Sequence, residues 1–166
     1  MTAPADAAPS AGNTPSASNT PSAGPREVFG RWQQLMLSND PGALGQLSSG
    51  DVIIETPFAP PGHPRRFEGL GQFLAYARPR MAALPARFEE FRNVVVHDTA
   101  NPQVIIAEYD LCGTVTTTGE PAAASFVAIL TVRDSEIVHW REYQDTLGMA
   151  ASLGQLPALL ASLGVS

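Results

Sequence analysis

Lysine is absent from this 166-residue chain: all ten basic side chains are Arg, against sixteen acidic ones, for a formal net charge of −6. Ten Arg scattered along the chain make no basic stripe, so a nucleic-acid partner is not expected. A single cysteine, Cys112, rules out an internal disulfide, and no Cys/His cluster has zinc-ligand spacing, so neither secretion nor a metal is indicated. No run of about eighteen apolar residues free of charge occurs, and no positively charged start leads into an apolar stretch. A membrane partner is therefore not expected, and the chain reads as soluble and cytoplasmic.

What is present divides in two. Residues 1–24 are, apart from Met1 and Asp6, Ala, Pro, Ser, Thr, Asn and Gly, with almost nothing apolar larger than Ala to bury, the composition of a disordered tail. Residues 25–166 suit one domain with a core of its own. Pro25 is well placed to open a helix whose Val28, Phe29, Trp32, Leu35 and Met36 form one apolar stripe. Asp40 can cap a second, short helix from Pro41 that carries Ala43, Leu44 and Leu47 and ends at Ser48-Ser49-Gly50. Asp51 to Thr56 reads as a strand, and the Pro-rich run from Pro57 to Gly69 as a stiff loop next to a cleft. Glu68 to Leu84 repeats apolar residues at helical spacing, with a kink or a restart expected at Pro79.

Beyond Pro85 the period changes from helix to strand. Three strands, Ala86 to His97, Gln103 to Thr114 and Ala122 to Val132, lead into a fourth within Ser135 to Asp145, and Leu147 to Leu163 closes the chain as a helix interrupted at Pro157. This is an α+β order, in which a curved antiparallel sheet wraps three N-terminal helices as a cone-shaped barrel and leaves a cavity between them. On the last strand Val138, Trp140, Glu142 and Gln144 share one face, and Ile137, His139, Arg141, Tyr143 and Asp145 the other. Glu142 thus lies beside an indole, where burial disfavours its charged form and lets it hold a proton to donate. Alternation places Glu55, Glu108, Asp110 and Cys112 on a candidate pocket face as well.

Element order, the S-N-D-P-G-A-L run from Ser38, the D-V-I-I-E-T-P-F stretch and the closing E-I-V-H-W-R-E-Y-Q-D resemble the nuclear transport factor 2 superfamily, in its SnoaL-like, ketosteroid isomerase-related branch. The resemblance covers roughly residues 26–150 and is more specific for fold than for reaction. Trp32, Ala128 and Thr56 occupy the places of the ketosteroid isomerase Tyr, carboxyl and Asp base, so steroid isomerisation is not expected. Trp140-Arg141-Glu142 is similar to a W-R-D motif of limonene epoxide hydrolases, but Asp110 and Cys112 replace the rest of that set. Arg141-Glu142-Tyr143 followed by Ala151-Ser152-Leu153-Gly154 looks like the phenazine biosynthesis A/B type, which implies an acid role for Glu142 and puts Tyr76 where that type has a His.

These readings set a catalytic group of Glu142, Asp110, Glu55 and Tyr76. The candidate substrate-binding set is Trp32, Phe58, His63, Phe73, Cys112, Phe126 and Trp140, with no cofactor. An apolar, ring-containing small molecule is the expected partner, for cyclisation, condensation, isomerisation or dehydration. For the other face of the last strand, with His139, Arg141 and Tyr143, the resemblance implies a homodimer surface, and strand alternation fits a solvated sheet face equally well. The alternative is a non-catalytic binding or dimerisation module of the same fold.

Overall fold

The computed structural model describes residues 22–40 and 42–164, so residues 1–21 of the expected tail and Pro41 lie outside the described residues. Ala23, expected to be tail, is buried, and its N–H donates to Ser135 Oγ at 2.7 Å. The first helix, α1, spans Pro25–Leu37 and buries Val28, Phe29 and Trp32, the expected stripe. The expected second helix is a single 3-10 turn, Ala43–Gln46, and Asp40 accepts the Gly42 N–H at 2.7 Å just before it. A turn this short has few backbone bonds to offer, and the next strand takes over sooner than its sequence suggests.

That strand, β1, begins at Ser48 and runs to Glu55. Inside the Pro-rich stretch a three-residue strand, β2 (Arg66–Glu68), pairs antiparallel with β1, so the loop is shorter than expected. Helix α2 follows (Leu70–Ala83) with Pro79 inside it, then β3 (Ala86–Asp98), β4 (Val104–Val115), β5 (Pro121–Arg133) and β6 (Glu136–Gln144). The last four form an antiparallel meander, as expected. The complete sheet has the order β2-β1-β6-β5-β4-β3 and is mixed, because β1 and β6 pair in parallel. The C-terminal segment is two helices, α3 (Thr146–Ser152) and α4 (Leu156–Ser162). Pro157 sits in the first turn of α4, where its missing N–H costs nothing, and the break falls at Gly154 with φ +67°.

Local irregularities curve the sheet around the helices. In β3 the register shifts between Phe88 and Glu90 and again between Arg92 and Val95, with Asn93 at φ 52°. Bulges bend a strand and re-aim its side chains, so Phe88 and Phe91 both turn inward. Gly113 lies opposite: a Cβ there would stand 2.0 Å from the Arg87 carbonyl oxygen, so β3 and β4 approach this closely only with glycine. The β5–β6 hairpin turns through Asp134 and Ser135, both at positive φ, the twist that suits a two-residue hairpin. A further shift next to Val132 takes Val138 out of step and returns Ile137 to the core, fully buried, contrary to simple alternation.

The core lies between α1 and the concave sheet face. Phe29, Trp32, Val52, Ile54, Phe67, Ile105, Leu130 and Trp140 all belong to it. Trp32 and Trp140 rings lie 4.7 Å apart, and aromatic groups of this size dominate the burial energy of a small domain. No helix among the described residues is long and apolar enough to cross a membrane.

Candidate active site

Register arranges the concave face in rows. Ala107, Ala128 and Glu142 form one row; Ile105, Leu130 and Trp140 lie on one side of it, and Tyr109, Phe126 and Gln144 on the other. Ala107 and Ala128 are fully buried, so nothing taller than a methyl group rises from β5 between Tyr109 and Glu142. Tyr109 on β4 therefore reaches across β5, and its hydroxyl donates to Glu142 Oε1 at 2.7 Å. Phe29, Trp32, Phe91 and Phe126 surround the Tyr109 ring with centroids between 5.2 and 5.7 Å away.

A cavity of about 360 Å³ opens in front of this pair, a size in the range of small-molecule pockets. Trp32 and Met36 of α1 line it, with Phe73, Tyr76, Ala77, Arg80 and Met81 of α2, Phe88, Leu111 and Phe126 of the sheet, and Met149 and Ser152 of α3. Among the described residues that line it, Glu142 is the one carboxyl and Arg80 the one cation. Glu142 keeps some accessible surface because the cavity touches it, yet the protein packed around its carboxyl is as dense as the interior. That density is what desolvates the charge, and it raises the Glu142 pKa against the opposing hydrogen bonds of Tyr109 and Trp140. Burial, then the adjoining carboxyl, hold Tyr109 as the neutral phenol. The result is a carboxyl biased toward its acid form at the wall of an apolar chamber.

Helix α2 supplies the opposite wall. Phe73, Tyr76, Ala77, Arg80 and Met81 recur at three- and four-residue spacing and so share a helix face. The Tyr76 hydroxyl lies 2.5 Å from His63 Nδ1, which ties the Pro-rich loop to the helix. The Arg80 guanidinium lies 3.7 Å over the Tyr76 ring.

Five of the expected site residues therefore meet at the cavity: Glu142, Tyr76, Trp32, Phe73 and Phe126. His63 stands behind Tyr76, and Trp140 is core behind Trp32. The others lie elsewhere. Glu55 is on the convex face, bonded to His139 at 3.0 Å and Arg66 at 2.8 Å, with Arg141 at 3.6 Å. Asp110 is on that face too, accepting from Asn93 and Ser125, both at 2.6 Å. Cys112 shares its side of β4 and is buried beside Glu90 and Ala123. Phe58 is 63% exposed and packs edge-on against Tyr143 at 5.1 Å. For Glu55, Asp110 and Cys112 the physical reason is that alternation offers two strand faces without saying which is enclosed, while Phe58 lies in the loop beyond β1. On β4 the apolar set Ile105, Ala107, Tyr109 and Leu111 is the buried one, and following the carboxylates led to the solvent side. Tyr109 was missed for that reason, although its place in that apolar alternation was the signal. Arg80 was missed as well, although its helical spacing from Phe73 and Tyr76 was the signal.

Residues 29–140 match the SnoaL-like domain, and the chain belongs to that family, within the nuclear transport factor 2-like superfamily. It is 29% identical over 133 residues to the uncharacterised PhzA/B-like protein PA3332 of Pseudomonas aeruginosa, covering 80% of this chain and 92% of that one. A Bacillus subtilis protein provisionally called an isomerase superposes with TM-score 0.70 at 27% identity, over 78% of this chain and 92% of the other. A Xanthomonas campestris protein provisionally called a polyketide cyclase shares the fold, with TM-score 0.60 at 21% identity over 76% and 93%.

Proposed function

We propose that the protein is a small enzyme of the cyclase and isomerase kind found in its family, using Glu142 as a general acid on an apolar, ring-containing substrate. The observation that carries this reading is the Glu142 carboxyl on the wall of the apolar cavity with Tyr109 Oη donating to it at 2.7 Å. In its acid form Glu142 can protonate a carbonyl or enolate oxygen, or a departing hydroxyl. As the carboxylate forms, the Tyr109 hydrogen bond stabilises it without any movement, and Tyr76 stands on the opposite wall to orient the substrate. Relatives called isomerase and polyketide cyclase support this class of chemistry. Solvent deuterium exchange next to the carbonyl of ring ketones, in which Glu142 protonates the carbonyl oxygen and solvent water takes the α-proton, tests the acid role by nuclear magnetic resonance before the natural substrate is known. Wild-type protein should accelerate exchange, and Glu142→Gln should lose about 10²–10⁴-fold in rate while keeping ligand affinity. Unchanged exchange in Glu142→Gln, or none in wild type with bound ketone, overturns it.

A second copy of the chain on the convex face belongs to the same reading. Val127, 37% exposed, stands there beside Tyr143, against which Phe58 packs, and Val95, 48% exposed, lies in the same row beyond Glu108. Val127→Glu should convert a dimer to a monomer in analytical ultracentrifugation without disturbing the cavity.

A further inference from the structure

We infer that the cavity takes an amphipathic acid: an apolar ring body carrying one carboxylate or comparable singly charged group, held by Arg80 at the cavity mouth. The inference deepens the proposed function and rests on its reading of the cavity as a ligand site, but not on turnover. Six arginines, Arg26, Arg31, Arg66, Arg87, Arg92 and Arg141, each pair with a carboxylate. Among the described residues Arg65, Arg78, Arg80 and Arg133 do not, and of these four Arg80 is the one that lines the cavity. Its Nη1 donates to the Tyr76 carbonyl oxygen at 3.0 Å, and its remaining N–H groups have no protein acceptor there. The guanidinium is nonetheless fixed, stacked 3.7 Å over a Tyr76 ring whose hydroxyl meets His63.

Position makes this more than a surface charge. Arg80 is exposed, yet it lines the cavity at helical spacing from Phe73, Tyr76 and Ala77, which are wall residues. An apolar chamber with a single pre-oriented cation at its entrance binds the ring by burial and the anion by a charge-assisted hydrogen bond. Glu142, the one carboxyl on the wall, does not oppose an anion while it carries its proton. A neutral ring compound would fill the same walls and leave the Arg80 donors to water.

Isothermal titration calorimetry with 2-naphthoate and its uncharged shape analogue 2-acetonaphthone tests the inference on the full chain. Wild-type protein should bind the acid about tenfold more tightly than the ketone. Arg80→Gln should abolish that preference and leave ketone affinity in place, and Arg80→Lys should restore part of it, because an ammonium neither stacks nor forks as a guanidinium does. Equal affinities in wild type, a preference that survives in Arg80→Gln, or no binding of the acid at millimolar concentration would each overturn it. Glu142→Gln separates the two readings: it should retain the acid preference even if the deuterium-exchange test removes the catalytic one.

Discussion

Glu55 and Glu142 are separated by one residue in register, since Glu55 pairs with Arg141, which precedes Glu142 in β6. They belong to opposite faces of the same sheet and have opposite electrostatics. On the convex face Glu55 is gripped by His139, Arg66 and Arg141, and its pKa is lowered, with the His139 hydrogen bond the largest cause. On the concave face Glu142 meets one phenol and apolar walls, and burial raises its pKa. The same functional group is thus held toward its anionic form on one side and toward its acid form on the other. What separates them is the set of partners and the loss of water, since the two side chains are chemically identical.

The comparison can be broken most forcefully at Glu142. Glu142→Gln removes the proton that the proposed chemistry needs, whereas Glu55→Gln should leave the exchange rate within about twofold, given that ordinary proton-transfer losses are 10²–10⁴-fold. Similar losses in both variants, measured side by side, would erase the functional distinction between the faces.

Ala128→Leu attacks the geometry instead. A larger side chain would rise between Tyr109 and Glu142, overpacking the core at a cost of about 1–3 kcal/mol and cutting the hydrogen bond. Denaturant unfolding should show the first effect and the deuterium-exchange rate the second.

Tyr109→Phe is gentler, at about 1 kcal/mol for one hydrogen bond. Because that bond lowers the Glu142 pKa, removing it should raise the pKa further and move the alkaline limb of the pH–rate profile upward. A downward shift would show that the phenol does not stabilise the carboxylate.

The smallest effect is on pH-dependent stability, and its sign differs between the faces. For Glu142 the folded pKa lies above the unfolded one, so stability falls as pH rises between the two. Glu142→Gln should flatten that alkaline-side loss. For Glu55 the folded pKa lies below the unfolded one, so its contribution is complete above the unfolded value and disappears as pH falls through the folded value. Glu55→Gln should flatten the acid limb, by no more than about 1 kcal/mol for pairs this near the surface. Thermal melts across pH for both variants provide the check.

Much of the architecture was legible because it is written in local pattern. Val28, Phe29 and Trp32 specify the buried stripe of α1, the turns at Asp98 to Pro102 and Arg133 to Ser135 divide the meander, and the alternation of Trp140 with Glu142 survives on β6. The elements that were not legible exist through a partner. Arg66–Glu68 is too short to be a strand on its own and becomes one only along β1. The parallel pairing of β1 with β6 joins segments some ninety residues apart in the chain, roughly the separation of Glu55 from Arg141.

The sequence by itself determined the fold family, the order of α1, β1, α2 and the four-stranded meander, and the placing of Glu142 beside an indole, because periodicity and turn chemistry act over a few residues. Only the tertiary structure decided which face of β1 and β4 is enclosed, and so sent Glu55 and Asp110 to the convex side and brought Tyr109 to Glu142. It also set the loop His63 against Tyr76 and put Arg80 at the mouth. A strand's pattern offers two faces, and only packing against α1 and α2 determines which of them loses its water.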